Sequence, residues 1–422
     1  MKFFTIKGPS KGVKGEVDIS GSKNSCLPLM ASSILFKKKV ILKNAPLVRD
    51  VYTMKKLLVS LGSNVVINEK TKTIIIKNSK QHKLIVPYNL VSTMRAGVLT
   101  MGSLLGRYQK KKIYVAKGGG CSLGIRDINY HLSGFESLKA KHSLEGGYVK
   151  IFSNEKLNGG NYKFPKVTVT GTANIIMASI FIKGTHIVRN ISIEPEIHDL
   201  IKFLNSSGAK IKFIGKRTIK IFGIKELLNG SHTMIGDRIE AFSYLCVGAI
   251  SKGEVLVKNI DPNFLLTEIK ILKKIGYKIF KTVNSIKLQS TNKLKPVKIK
   301  TGPFPNYATD NMPMLLAVLT KIPGKSEIIE TIFSNRFMAA PELSRMGANI
   351  KIKKNKAIII GKKHLNSADC ISSDLRTTFA IILGAIGANG RSKIHRIYHG
   401  LRGYHNLKNK LKKLGIDIKS NL

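Results

Sequence analysis

Leu61-Gly62-Ser63-Asn64-Val65 reads as a helix end, a left-handed glycine cap and the start of a strand. An apolar stripe of Val51, Met54, Leu57, Leu58 and Leu61 runs up to it at helical spacing. The signature returns as Ser207-Gly208-Ala209-Lys210-Ile211, Ile275-Gly276-Tyr277-Lys278-Ile279, Met346-Gly347-Ala348-Asn349-Ile350 and Leu414-Gly415-Ile416-Asp417-Ile418. A degenerate copy, Leu138-Lys139-Ala140-Lys141, fills the one gap, with Lys139 where the others have glycine. Successive copies lie 68 to 77 residues apart, so six units account for essentially all 422 residues. That period is too long for the common solenoids, and each unit is expected to be a small αβ module.

The flanking residues fill in the module. Val65–Ile67 and Thr73–Ile76 read as a hairpin around 68–72. Upstream, a first helix and a short strand recur: Ser25–Leu35 then Val40–Lys43, Ile175–Phe181 then Thr185–Arg189, and Ala241–Ile250 then Glu254–Lys258. The unit is therefore strand, helix, strand, helix, strand, strand. Each first helix opens with cap chemistry: Gly21-Ser22-Lys23-Asn24, Ser92-Thr93-Met94-Arg95, Thr170-Gly171-Thr172, Gly236-Asp237-Arg238, Ala308-Thr309-Asp310 and Ser373-Asp374-Leu375-Arg376. Four starts carry a cation: Lys23, Arg95, Arg238 and Arg376. A cation there opposes the helix dipole, which makes sense if an anion sits between the two.

The net charge is +48, from 72 basic and 24 acidic residues. Only 13 of the 72 are arginine, and the lysines are scattered over every unit with no aromatic-interleaved patch. Lys, Ile and Asn are all abundant, as A/T-rich coding would enforce, so no nucleic-acid function is expected. The scarce arginines are more informative: Arg95, Arg126, Arg238, Arg336, Arg376 and Arg402 stand in motif-like settings. Cys26, Cys121, Cys246 and Cys370 lack metal or disulfide spacing, and no stretch reads as a membrane span or leader. A cytoplasmic protein without metal or cofactor is expected, a monomer or weak oligomer.

The most specific local segment is Gly118-Gly119-Gly120-Cys121-Ser122-Leu123-Gly124-Ile125-Arg126, a glycine-flanked loop holding a thiol and a guanidinium. Arg126 would favour the Cys121 thiolate, whereas the other three cysteines lie in apolar settings. Glu194 and Glu196 form a carboxylate pair on one face by alternation, without an aromatic sugar platform nearby, which favours a hinge or structural role. With Ile19-Ser20-Gly21-Ser22-Lys23-Asn24-Ser25, Glu194-Pro195-Glu196-Ile197, Asp237-Arg238-Ile239-Glu240, Thr309-Asp310, Asn335-Arg336-Phe337-Met338, Pro341-Glu342-Leu343, Asp374-Leu375-Arg376 and Arg402-Gly403-Tyr404, the loop resembles the UDP-N-acetylglucosamine 1-carboxyvinyltransferases, of the enolpyruvyl transferase family. The nine motifs stand in register from about Phe4 to the C-terminus. The related 5-enolpyruvylshikimate-3-phosphate synthases lack the Gly-Gly-Cys loop and usually carry Arg after Ser-Lys, where this chain has Asn24.

The resemblance implies an inside-out α/β barrel of two domains, each of three βαβαββ units, with helix N-termini facing the cleft. Residues 1–19 and 236–422 would form one discontinuous domain; 20–235 would form the other and carry the Cys loop. It implies transfer of an enolpyruvyl group from phosphoenolpyruvate to the 3′-hydroxyl of UDP-N-acetylglucosamine, or, as the alternative, to shikimate 3-phosphate. By the same resemblance, Cys121 delivers the C3 proton and can form a phospholactoyl adduct, and Asp310 is the base, kept ionised at its helix start. Lys23, Arg126 and Arg402 look like the phosphoenolpyruvate clamp, with Arg336 and Arg376 nearby and Asp374 coupling clamp to cleft. Asn24 resembles a sugar contact and Arg95 a nucleotide-side cation, while Lys166, Thr168, Val169 and Gly171 match the segment beside the nucleotide. The chain departs from the family pattern at Gly118, Asp127, Asn129 and Ala308.

Overall fold

The computed structural model describes residues 2–116 and 128–421. The chain divides into two compact units; among the described residues, one comprises 2–20 and 236–421, the other 21–116 and 128–235.

Each unit is built around helices that are apolar on every side, as helices enclosed by other elements must be. In the first unit these are Arg238–Ile250, Met312–Leu319 and Leu375–Gly387, which pack on one another and are buried along almost their whole length. In the second they are Lys23–Ser32, Thr100–Arg107 and Val169–Ala178. Small residues let them approach closely. At Gly102 even a methyl group would run into the backbone of Asn174, and the Gly102 amide donates to Asn174 Oδ1 at 2.9 Å. The second helices are amphipathic instead. Along Arg49–Ser60, Val51, Met54, Leu57 and Leu58 are fully buried, and along Pro195–Ser206 so are Leu200, Phe203 and Leu204.

The repeated signature forms a left-handed cap at all six positions. Gly62, Gly208, Gly276, Gly347 and Gly415 have φ between +79° and +118°, and Lys139 adopts +69°. At Gly62 the chain closes a Schellman turn: the Gly62 amide donates to Val59 O and that of Ser63 to Leu58 O, both at 2.9 Å. Lys139 makes the same turn, its amide donating to Glu136 O at 2.8 Å and that of Ala140 to Phe135 O at 3.2 Å.

Six small mixed sheets stand among the described residues. In Asn161–Lys163, Thr185–Arg189, Thr218–Phe222 and Lys210–Gly215, given in spatial order, the first pair is parallel and the rest antiparallel. Four more sheets repeat that order. Three sheets recruit a strand from far along the chain, which departs from a contiguous unit. Gly230–Thr233 pairs with Val40–Lys43, Lys14–Asp18 pairs with Glu254–Lys258, and Phe3–Gly8 lies between Ala388–His395 and Asp417–Asn421. A segment whose own edge would be left open is thus completed by a remote strand. Among the described residues no helix is long and apolar enough to cross a membrane.

Candidate active site

In the first unit the short turn Thr309–Asn311 precedes Met312–Leu319 and carries Asp310. Two buried carboxylates fix this turn. Glu268 Oε1 accepts from the Ala308 amide at 3.2 Å and Asn311 Nδ2 at 3.1 Å; Glu330 Oε2 accepts from Thr309 Oγ1 at 2.9 Å. Burial pushes the Glu268 carboxyl above its ordinary pKa, against the pull of Arg238 and these hydrogen bonds. Asp310 is not an N-cap, as a helix-start reading would have it: Ala308 precedes the turn, with no side-chain cap. Its carboxylate lies instead between two guanidinium groups. Arg336 Nη2 donates to Oδ1 at 2.6 Å; Arg376 donates to Oδ2 through Nη2 at 3.0 Å and Nε at 3.3 Å. The arginine side chains are 2% and 3% exposed and that of Asp310 30%, so the carboxylate is the open member of the triad.

Each arginine is oriented by a second contact. Arg336 Nε donates to Thr309 O at 3.0 Å. The Arg376 guanidinium carbon lies 5.5 Å from the Tyr404 ring centroid, and the Tyr404 hydroxyl is 2.9 Å from Ser243 Oγ. Burial opposes the Arg376 charge, but Tyr404, Asp310 and Asp237 outweigh it and hold the proton more firmly than in a free guanidinium. Burial also pushes the Tyr404 hydroxyl up to about 12, against the nearby Arg376 charge. Asp374 caps Leu375–Gly387, its Oδ1 accepting from the amides of Arg376 at 2.8 Å and Thr377 at 3.1 Å. Arg402 ends the turn Ile397–Arg402 and is half-buried.

In the second unit Ser22 caps Lys23–Ser32, accepting from the Ser25 amide at 3.3 Å. Lys23 Nζ stands 3.4 Å from Asp50 Oδ2, a carboxylate that belongs to none of the motifs; Asn24 beside it is half-buried. Thr168 caps Val169–Ala178 by accepting from the Gly171 amide at 3.3 Å, with Lys166 and Val169 exposed at this end. Arg95 begins the turn Arg95–Leu99, where Met94 offers no side-chain cap; of the six quoted starts, Ser22, Asp237 and Asp374 cap as expected, while in the third the cap is Thr168 and Thr170-Gly171-Thr172 already lies inside the helix. Burial, helped by the Arg95 charge, lowers the pKa of nearby His131 to about 3. Glu194 and Glu196 do not alternate along a strand: they open helix Pro195–Ser206, and Ser192 Oγ donates to Glu194.

The structure thus brings Asp310, Arg336 and Arg376 together in one unit and Lys23 with Asp50 in the other. Gly118, Cys121, Arg126 and Asp127 lie outside the described residues. Cys26, Cys246 and Cys370 are buried; burial raises all three thiol pKa values, that of Cys370 to about 12. Among the described residues no cluster of His, Cys, Asp or Glu could hold a metal ion.

Comparison with known proteins agrees with a full-length relationship. The model of the EPSP synthase (3-phosphoshikimate 1-carboxyvinyltransferase) family matches residues 7–411. Two proteins called UDP-N-acetylglucosamine 1-carboxyvinyltransferase are similar end to end: that of Pelagibacter ubique is 43% identical and that of Campylobacter fetus 42%, each over 99% of both chains. Among solved structures, the enolpyruvyl transferase NikO from Streptomyces tendae superimposes with a TM-score of 0.89 at 20% identity, over 99% of this chain and 98% of that one. An EPSP synthase from Acinetobacter baumannii gives 0.79 at 17% identity, over the whole of both chains. These structures share the mixed α/β fold, and the sequence relatives fix the lineage: the chain belongs to the enolpyruvyl transferase family, together with the UDP-N-acetylglucosamine 1-carboxyvinyltransferases.

Proposed function

We propose that this chain transfers the enolpyruvyl group of phosphoenolpyruvate to the 3′-hydroxyl of UDP-N-acetylglucosamine and releases phosphate, the committed step of peptidoglycan synthesis. The observation that carries this reading is the 43% identity, over 99% of both chains, to a protein of that name. Asp310 takes the hydroxyl proton while the sugar oxygen bonds to C2 of phosphoenolpyruvate and Cys121 protonates C3. The resulting tetrahedral adduct then loses a C3 proton and its C–O bond to phosphate, which restores the double bond. Lys23, Arg126, Arg336, Arg376 and Arg402 neutralise the phosphate and carboxylate; each charge-assisted contact contributes about 1.5–3 kcal/mol. Asp374 holds the Arg376 helix start, and Asn24, Arg95, Lys166, Thr168, Val169 and Gly171 serve the nucleotide sugar. Each unit is read as a three-segment inside-out α/β barrel domain, its apolar helices inside and its sheets outside. The protein works in the cytoplasm as a monomer or weak oligomer.

Phosphate release tests the reading. It is expected only when phosphoenolpyruvate and UDP-N-acetylglucosamine are both present. Cys121→Ser is expected to lower turnover greatly, a hydroxyl being a far weaker proton donor than a thiol, and Cys121→Asp to retain it. Release with shikimate 3-phosphate in place of the nucleotide sugar would move the assignment to the sister activity.

A further inference from the structure

Glu330 stands in none of the motifs, yet both of its carboxylate oxygens are engaged by segments that carry candidate site residues. It follows directly on strand Lys325–Ile329 and is 3% exposed. Oε2 accepts from Thr309 Oγ1 at 2.9 Å, beside Asp310. Oε1 accepts from the amides of Ile332 at 2.7 Å and Phe333 at 3.1 Å, at the start of the segment that leads to Arg336. The Phe333 ring centroid lies 5.9 Å from the Arg336 guanidinium carbon. Thr309 joins the two segments from the other side: its hydroxyl donates to Glu330, and its carbonyl oxygen accepts from Arg336 Nε at 3.0 Å.

Glu330 itself has little freedom. Its amide donates to Asn355 O at 2.8 Å, and its carbonyl oxygen accepts from Asn355 Nδ2 at 3.1 Å. The next residue, Thr331, is bonded twice to Thr301: its amide donates to Thr301 Oγ1 at 2.9 Å and its hydroxyl to Thr301 O at 2.7 Å. The carboxylate therefore leaves a backbone that is fixed on both flanks, as a group that sets the geometry of others must be. A buried carboxylate is stable only when its lone pairs are filled, and three donors fill them here.

Resting on the functional reading above, we propose that Glu330 is a positioning residue for the Asp310–Arg336 pair. Its two oxygens hold the Asp310 turn and the Arg336 segment at one separation, set by the end of the strand. Arg336 is thereby fixed from two directions. The chain that leads to it is held at Ile332 and Phe333, and its Nε is held by the Thr309 carbonyl, which leaves Nη2 to meet Asp310 Oδ1. Glu330 does not act on the reacting atoms: it fixes where the proposed base and its guanidinium partner stand before substrate arrives. Displacing such groups by about 1 Å costs about 10²-fold in rate.

Phosphate-release kinetics and arginine resonances of the full-length protein test this together. Glu330→Ala removes both links and is expected to lower kcat about 10²-fold. Glu330→Gln can keep both, its oxygen on the two amides and its amino end donating to Thr309 Oγ1, and is expected to stay within about threefold of the unmodified protein. Thr309→Val cuts the link to the Asp310 turn alone and is expected to lower kcat about tenfold. In the Glu330→Ala background it is expected to cost nothing further, because both changes act through one contact. Losses that multiply, wild-type kcat in Glu330→Ala or Thr309→Val, or a Glu330→Gln variant as slow as Glu330→Ala would each overturn the proposal. If Glu330→Ala does not fold, Thr309→Val and Glu330→Gln still decide it. The Arg336 Nε–H resonance, assigned by its loss in Arg336→Lys, gives a readout independent of activity. It is expected to be protected from solvent exchange in the unmodified protein and in Glu330→Gln, and to be exchange-broadened in Glu330→Ala; an unchanged signal in Glu330→Ala overturns the positioning role. Absence of phosphate release by the unmodified protein would remove the functional reading itself, and this resonance would still decide whether Glu330 orders Arg336.

Discussion

A carboxylate that is to take a proton has to be ionised when substrate arrives, yet open enough for a hydroxyl to reach it. On the reading proposed above Asp310 is that carboxylate: two guanidinium groups hold it from the buried side, and nearly a third of its side chain stays exposed. Both arginines place positive charge against its oxygens. Asp310→Asn keeps the size and removes the proposed base. Turnover is expected to fall by roughly 10²–10⁴, the usual contribution of a positioned general base. The new carboxamide would also turn an N–H toward one guanidinium, so thermal unfolding should be measured alongside. A variant that folds and keeps full rate would show that the hydroxyl proton leaves by another route.

Secondary-structure elements carry their own strain, and the clearest case is Lys139. It occupies the left-handed cap that glycine fills in the other five copies, in a Schellman turn of the same hydrogen-bond pattern. A side chain in that conformation costs about 1 kcal/mol relative to glycine, and Lys139 is exposed with only backbone bonds at stake. Lys139→Gly is expected to raise stability by about that amount in denaturant titration, and a loss of stability would mean the lysine side chain has a packing role. This site also shows what the sequence makes legible. The caps, second helices and hairpins follow from local periodicity and backbone conformation, so Gly62 and Gly208 mark their turns by residue type and position alone. Remote strands do not follow from it: nothing within 365–421 says that Phe3–Gly8 will lie between its strands. The same limit applies to the site. Motifs supply Asp310, Arg336 and Arg376 singly, but their mutual contacts span 26 and 66 residues of chain. Asp50, His131 and Asn174 sit in no motif, and long-range hydrogen bonds alone reveal them.

At the scale of the whole molecule, charge imbalance outweighs every other feature of the composition. With 72 basic residues against 24 acidic ones, most lysines have no carboxylate available to pair with. Two like charges about 10 Å apart in water repel by roughly 0.4 kcal/mol. Folding shortens many such separations at once, so the folded chain works against its own field. Salt shortens the range of this repulsion, from about 30 Å at 0.01 M to about 10 Å at 0.1 M, while partly buried ion contacts such as Asp310 with Arg336 and Arg376 are screened much less. The melting temperature is therefore expected to rise by several degrees between about 10 mM and about 300 mM sodium chloride. A cationic face evolved for nucleic acid would show a second behaviour: tight binding to DNA or RNA of defined sequence, with affinity falling steeply over the same salt range. The scattered lysines argue for the first behaviour alone, with nucleic-acid binding weak, indifferent to sequence and lost near roughly 200 mM salt. A melting temperature that stays flat or falls over the titration would mean that the lysines are locally compensated. The charge would then need an explanation other than composition.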